Sequence, residues 1–296
     1  MSFFEMFASQ LQKDQPLGRY TAARLGGTAD WLYVAHDSES LITIVSSAWA
    51  EDIPVRILGG GANVLIGDKG YRGLIVINHV SELRFDGADV HVSGGYSLTV
   101  LARKCASNGL SGFEWAVSVP GTVGGAVVNN AGAHGGDIAG NLVSAEVLFA
   151  DEGQRQLSVE AMAYAYRSSA LKARRDRRYL VVSATLRLDF GDPAAIQARM
   201  DEFIAHRKRT QPAGASLGSI FKNPPGDYAG RLIESCGLKG YSIGGAQVSP
   251  VHANFFLNHD HATARDYFAL IEHVRSVVHE QTGVMLETEI ECIGEF

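Results

Sequence analysis

GFEWAVSVPGTVGGAVVNNAGAHGG, residues 112–136, decides how this chain is read: glycine, alanine and asparagine crowd around one Pro-Gly-Thr at positions 120–122. A segment this poor in side chains has too little apolar surface for a packed helix or a sheet face. It predicts a loop that brings bare backbone N–H groups against a ligand, and convergent amides select an anion. Upstream, VRILGGGANVLIGDKG, residues 55–70, has the same character, a β-rich run that ends in Gly59, Gly60 and Gly61. Two such loops in one chain predict a pyrophosphate gripped from two sides. The common templates do not describe them: G-x-G-x-x-G would need glycine where Val64 stands, and no G-x-x-x-x-G-K-[ST] occurs.

Around these loops the periodicity sets the elements. Residues 38–49 form an amphipathic helix with Leu41, Ile42, Val45 and Trp49 on one stripe, followed by the strand VRIL and by LIVI at 74–77, a small βαβ-like unit. HVSG follows, then a helix over 98–107 closed by Gly109. Beyond the long glycine segment the pattern turns to β, with VSAEVLFA and then YLVVSATLRLDF. Asp192-Pro193 opens a charged helix through Arg209 that crosses into a third unit. That unit holds a helix over 228–236, the strand-like ANFFLN and a long helix over 263–282. The long helix carries Tyr267, Leu270, Ile271, Val274, Val277 and Val278 at helical spacing and stops at Gly283. The fold class is α+β or mixed α/β.

Composition bounds the function. A chain of 296 residues, 46% hydrophobic, has room for two or three modest domains. The formal charge of −6 and a single short basic run at 172–178 argue against nucleic acid as a partner. No apolar run reaches about 18 residues and the N-terminus lacks a charged n-region before an apolar core, so a cytoplasmic protein without a membrane partner is expected. Cys105, Cys236 and Cys292 are too scattered for a disulfide framework or a metal site and read as core thiols. No metal site is expected: the nearest cluster, His259-Asp260-His261, reads as a polar loop before a helix. Gly214-Ala215-Ser216-Leu217-Gly218 fits G-x-S-x-G, but HRKRTQP precedes it and no helix follows at once, which excludes a hydrolase elbow.

ILGGGANVLI, SVPGTVGGAVVNNAG, YAYRSS at 164–169, GSIFKNP at 218–224 and LETEI at 286–290 follow one another in the order and register of the UDP-N-acetylenolpyruvoylglucosamine reductases. The chain resembles that family over residues 20–294. The resemblance implies a two-part FAD-binding fold of the PCMH/vanillyl-alcohol-oxidase type plus a C-terminal α/β domain. FAD-binding subdomains would occupy residues 1–78 and 79–191, and a substrate-binding domain residues 192–296. It implies FAD reduced by NADPH, and hydride transfer from the flavin N5 to the enolpyruvyl methylene carbon of UDP-N-acetylglucosamine enolpyruvate in peptidoglycan precursor synthesis, by a monomer.

Residue by residue, the resemblance places FAD on Gly59, Gly60, Gly61, Ala62, Asn63 and Val64 and on Pro120, Gly121, Thr122, Gly124, Gly125, Asn130, Ala131 and Gly132. Thr122 and Asn130 would add side-chain bonds to those of the amides. Arg167 would stabilise charge on the substrate carboxylate, Ser219 would donate the proton, and Glu289 would assist. Without the resemblance, Arg167 reads as a surface arginine, Ser219 as a turn cap and Glu289 as one acid of a solvated face shared with Glu287 and Glu291. Lys222 and Asn223 are expected at the UDP phosphates, and His252 in the same pocket, although a hydrogen-bonding role competes for His252 and Glu114. The passage from YRSS through ALKARRDRR into YLVV leaves no room for a tyrosine-bearing lid, as in the lid-less branch of the family. His134 stands where that family often has tyrosine, and YTAARLGG replaces its threonine-rich entry. A flavin oxidase on the same fold, or a non-catalytic flavin or UDP-sugar sensor, would share the loops but need not keep the Ser219, Arg167, Glu289 set.

Overall fold

The structure, a computed structural model, describes residues 2–296 and separates into two compact units. Unit 1 contains residues up to Gln12, Trp31–Gly60 and Gly73–Arg207; unit 2 contains Lys13–Asp30, Gly61–Arg72 and Lys208–Phe296.

In unit 1, Asp37 caps the helix Ser38–Ala50 by accepting from Ser40 N at 2.8 Å. The buried stripe of that helix is Leu41, Ile44, Val45, Ala48 and Trp49, with Ile42 only partly buried at its edge. Strand Val55–Leu58 then pairs in parallel with Leu74–Ile77, so the first glycine loop starts from a fixed strand end. The main sheet has five antiparallel strands in the order Gly153–Ser158, Leu142–Phe149, Tyr179–Arg187, Asp89–Ser93, Leu83–Asp86. Alternation sends Val147 and Val181 into one core with the helix Leu98–Ser107, and Leu148 and Leu180 into a second core with the helix Ser38–Ala50. A bulge at Val182 shifts the register between Glu146 and Val147 and turns Ser183 and Glu146 to a polar face.

The segment 112–136 departs from the loop expected of it. It holds a 3-10 turn Glu114–Ser118, an α-helix Val123–Asn129 and a short hairpin, Gly132–Ala133 against Gly136–Asp137. Val123, Ala126 and Val127 bury one face of that helix, so three small apolar residues at i, i+3, i+4 suffice where neighbours supply the bulk. The helix Pro193–Thr210 buries Ile196 and Met200 in the unit 1 core, and the boundary between units falls at Arg207, inside it.

Unit 2 is a four-stranded antiparallel sheet, Ser216–Ser219, Phe255–Asn258, Ala246–Val248, Ser242–Ile243, backed by the helices Ala229–Ser235 and Ala264–Thr282. The long helix opens on a capping box of Thr263 and Asp266 and closes on Gly283 at φ 73°, a left-handed conformation that glycine adopts without strain. Val64–Ile66 pairs in parallel with Glu291–Ile293. Only that last part of the LETEIECI run is a strand; Leu286 and Ile290 are buried, Glu287 is exposed, and Glu289 and Glu291 are partly buried. Cys105 alone is a core thiol, with burial pushing it up to about 12; Cys236 is partly buried and Cys292 exposed. Among the described residues no helix is long and apolar enough to cross a membrane.

Candidate active site

Within unit 1 the ends of the two glycine segments meet. A Cβ on Gly59 would overlap Thr122 Oγ1, and one on Gly60 would lie 3.0 Å from Gly121 Cα. Only bare backbone permits that approach, which is the physical reason for the glycine pair. Not every amide of the second segment faces outward, however. Val123 N donates to Tyr96 O at 2.9 Å, Gly124 N to Gly94 O at 2.7 Å and Ala131 N to Ala126 O at 3.0 Å. Asn130, 5% exposed, is also committed internally: Nδ2 donates to Asp137 Oδ2 and Ala165 O at 3.3 and 3.2 Å, and Oδ1 accepts from Ala139 N at 3.0 Å. The Asn130 side chain thus ties the loop to Asp137, Ala139 and Ala165. Thr122 makes no helix-cap bond with its side chain.

Arg167 is held against that same segment. Its backbone sits at φ 54°, a conformation that costs a non-glycine residue about 1–2 kcal/mol and survives where neighbours enforce it. The neighbours are Tyr164, whose hydroxyl donates to Val127 O at 2.9 Å, and Ser169, whose hydroxyl donates to Val128 O at 2.6 Å. Both stitch the YAYRSS turn to the helix Val123–Asn129. The guanidinium donates from Nη2 to Gly132 O at 2.9 Å and from Nη1 to Asn130 O at 3.5 Å, which sets its plane. Sequence reasoning used YAYRSS as a motif and missed the anchoring by Tyr164 and Ser169.

In unit 2, Ser219 ends a strand distorted next to it. Ser216 pairs with Leu257 and Ser219 with Phe255, so three steps on one strand oppose two on the other, and Gly218 takes up the excess at φ 74°. Such bulges re-aim side chains. The strand also rules out the hydrolase elbow, because the next helix begins only at Ala229. Glu289 N donates to Ile220 O at 2.8 Å, and Asn63 Nδ2 donates to Glu289 O at 3.1 Å. The backbone of Glu289 is thus tied both to Ile220, the residue after Ser219, and to Asn63, which brings segments far apart in sequence together.

Asn254, 3% exposed, is the residue that sequence reasoning missed here: its Oδ1 accepts from Phe221 N at 2.9 Å and its Nδ2 donates to Phe221 O at 2.8 Å. It sits within SPVHANFF, with no signal beyond an asparagine inside an apolar run. Lys222 is ion-paired with Glu287, and Asn223 Oδ1 accepts from Ala229 N at 3.1 Å at the start of a helix. His252 Nδ1 accepts from Asn254 N at 3.2 Å, and burial holds its pKa below the usual histidine value, so the ring is a neutral support of the Asn254 clip. Glu114, also buried, accepts from Ser111 Oγ and Gly112 N, both at 2.7 Å, and secures the start of the glycine segment.

Facing glycine segments with bare backbone fit a dinucleotide, and the chain defines itself as an FAD-binding protein: a family model for an FAD binding domain matches residues 29–158. A second, for the C-terminal domain of UDP-N-acetylenolpyruvoylglucosamine reductase, matches residues 210–293. UDP-N-acetylenolpyruvoylglucosamine reductase 2 of Symbiobacterium thermophilum is 42% identical over 96% of this chain and 92% of its own length. The reductase of Bacillus velezensis is 41% identical over 95% and 93%. The crystal structure of the Thermus caldophilus reductase is similar with a TM-score of 0.82 at 33% identity, covering 96% of this chain and all of that one. The chain belongs to the UDP-N-acetylenolpyruvoylglucosamine reductase family.

Proposed function

We propose that this chain reduces UDP-N-acetylglucosamine enolpyruvate to UDP-N-acetylmuramate at the expense of NADPH, a step of peptidoglycan precursor synthesis. The observation that carries the reading lies in unit 2, where hydrogen bonds join the Glu289 backbone to Ile220, next to Ser219, and to Asn63, so that three separate family motifs meet. The proposal includes FAD-binding subdomains at 1–78 and 79–191 and a substrate-binding domain at 192–296. A monomer in the cytoplasm belongs to the same reading.

Hydride added to the enolpyruvyl methylene carbon leaves negative charge on the neighbouring carbon, delocalised into its carboxylate. FAD, reduced by NADPH, supplies that hydride when bound. The backbone of Gly59, Gly60, Gly61, Ala62, Asn63, Val64, Pro120, Gly121, Thr122, Gly125 and Gly132 would hold the cofactor, with the amides of Val123, Gly124 and Ala131 spent on the protein itself. Arg167 offers the carboxylate two parallel donors, and a fixed donor aimed at developing charge is typically worth about 10²–10³ in rate. Ser219 delivers the proton to the carbon, an alkyl hydroxyl being acid enough for a strongly basic enolate, and Glu289 assists from the adjoining segment. Lys222 and Asn223 meet the diphosphate, with the exposed Glu287 giving way.

An anaerobic stopped-flow experiment tests the reading. NADPH bleaches the bound flavin, and UDP-N-acetylglucosamine enolpyruvate restores its colour. In Ser219→Ala, bleaching is retained and recolouring slows by about 10²-fold or more. A wild-type protein that bleaches but does not recolour with this substrate would sink the proposed activity.

A further inference from the structure

The hairpin that supplies a carbonyl to Arg167 is tipped by His134-Gly135, both at positive φ, 53° and 85°. That is a two-residue turn of the primed kind, in which histidine is one of the few side-chain residues tolerated with a left-handed backbone. The strained placement puts the imidazole flat on Phe203 of the helix Pro193–Thr210, with ring centroids 4.2 Å apart and planes 5° from parallel. His206 of the same helix meets the His134 ring edge-on at 5.5 Å. A Cβ on Gly136 would overlap the Trp115 indole, so the hairpin also packs on a second aromatic side chain. One strand of it carries Gly132, whose carbonyl accepts from Arg167 Nη2 at 2.9 Å, and Asp137 of the other strand accepts from Asn130, whose own carbonyl accepts from Arg167 Nη1.

We propose that His134 and Phe203 form a positioning contact for Arg167: their stack locks the hairpin tip to the helix and thereby fixes the two carbonyls that aim the guanidinium. The inference rests on the role given to Arg167 above. It also carries a pH dependence. The charged and titratable groups facing His134 are His206, Arg207 and Glu202, all on the helix. Burial first, then His206 and Arg207, hold the imidazole below its usual pKa, and Glu202 opposes them only partly. Protonation in acid sets a charged His134 against the Arg207 guanidinium and loosens the hairpin, so turnover falls on the acid side.

The test uses the FAD-loaded full chain. Expected are losses in kcat of about 10-fold to 10²-fold in His134→Ala and in Phe203→Ala, since a misplacement of about 1 Å can cost that much. His134→Phe keeps the stack, recovers most of the rate at pH 8 and moves the acid limb of the kcat profile to lower pH. In an Arg167→Ala background, His134→Ala has no further effect, because both act through one group. If Arg167→Ala is crippled while His134→Ala and Phe203→Ala keep the wild-type kcat and pH profile, the positioning contact is overturned. The same holds if His134→Ala and Arg167→Ala multiply independently. Full turnover in Arg167→Ala overturns the Arg167 role itself, a different outcome. Should His134→Ala not fold, Phe203→Ala and the profile of His134→Phe decide alone.

Discussion

At the scale of single residues, the site depends on backbone that side chains would spoil. A methyl group at position 59 would occupy the place of Thr122 Oγ1, so Gly59→Ala is expected to purify with much less bound flavin than wild type. A stoichiometrically yellow Gly59→Ala protein would contradict the proposed cradle. Gly218 has open space around its Cα but a left-handed backbone. Gly218→Ala is therefore expected to cost about 1–2 kcal/mol of stability through backbone conformation rather than collision. It also relaxes the bulge that aims Ser219, which lowers kcat more than KM, as steady-state kinetics on the purified variant would show. Gly218 is legible in GSIFKNP only as part of a motif; its conformation is set by the mismatch between strand Ser216–Ser219 and its partner, which no local pattern encodes.

At the scale of elements, the helices were the most legible feature. The pattern expected for residues 263–282 corresponds to Ala264–Thr282, with Thr263 as its cap and Gly283 as its stop, because periodicity and both end signals are local. Thr263→Ala is expected to lose about 1 kcal/mol of stability with kcat unchanged, measured by thermal melting beside turnover. Asn254 lies at the other extreme. It closes two bonds to the Phe221 backbone in the interior of unit 2, and leaving those groups unsatisfied in Asn254→Ala should cost roughly 2–4 kcal/mol. A variant as stable and active as wild type would show that the clip does not hold the Ser219 strand. The helix Val123–Asn129 was illegible for the opposite reason: glycine and alanine argue against a helix locally, and burial against the main sheet core overrides that argument.

At the scale of the whole molecule, three histidines give stability its pH dependence. His79 and His134 in unit 1 and His252 in unit 2 all have pKa values lowered from 6.5, in each case mainly by burial. A lowered pKa means that the unfolded chain takes up protons first as pH falls, so their contribution is present above about pH 6.5 and is lost below it. Tm is therefore expected to fall between pH 7 and pH 5, before the carboxylates titrate. A Tm that holds or rises over that interval would refute the account, and it can be read by calorimetry in one buffer series.

What the sequence determined by itself was whatever depends on neighbours along the chain: the periodic helices, the apolar strands, the two glycine segments and the five motifs that mark the family. Tertiary structure alone decided which amides of the second glycine segment are already spent, that Asn130 serves the fold, and that the Glu289 backbone is bonded to Ile220, beside Ser219, and to Asn63. It also decided that His134 lies flat on Phe203. The physical reason is common to all of these. A hydrogen bond or a ring stack between residues tens of positions apart leaves no periodicity, and it exists only after the chain has closed the loops between them.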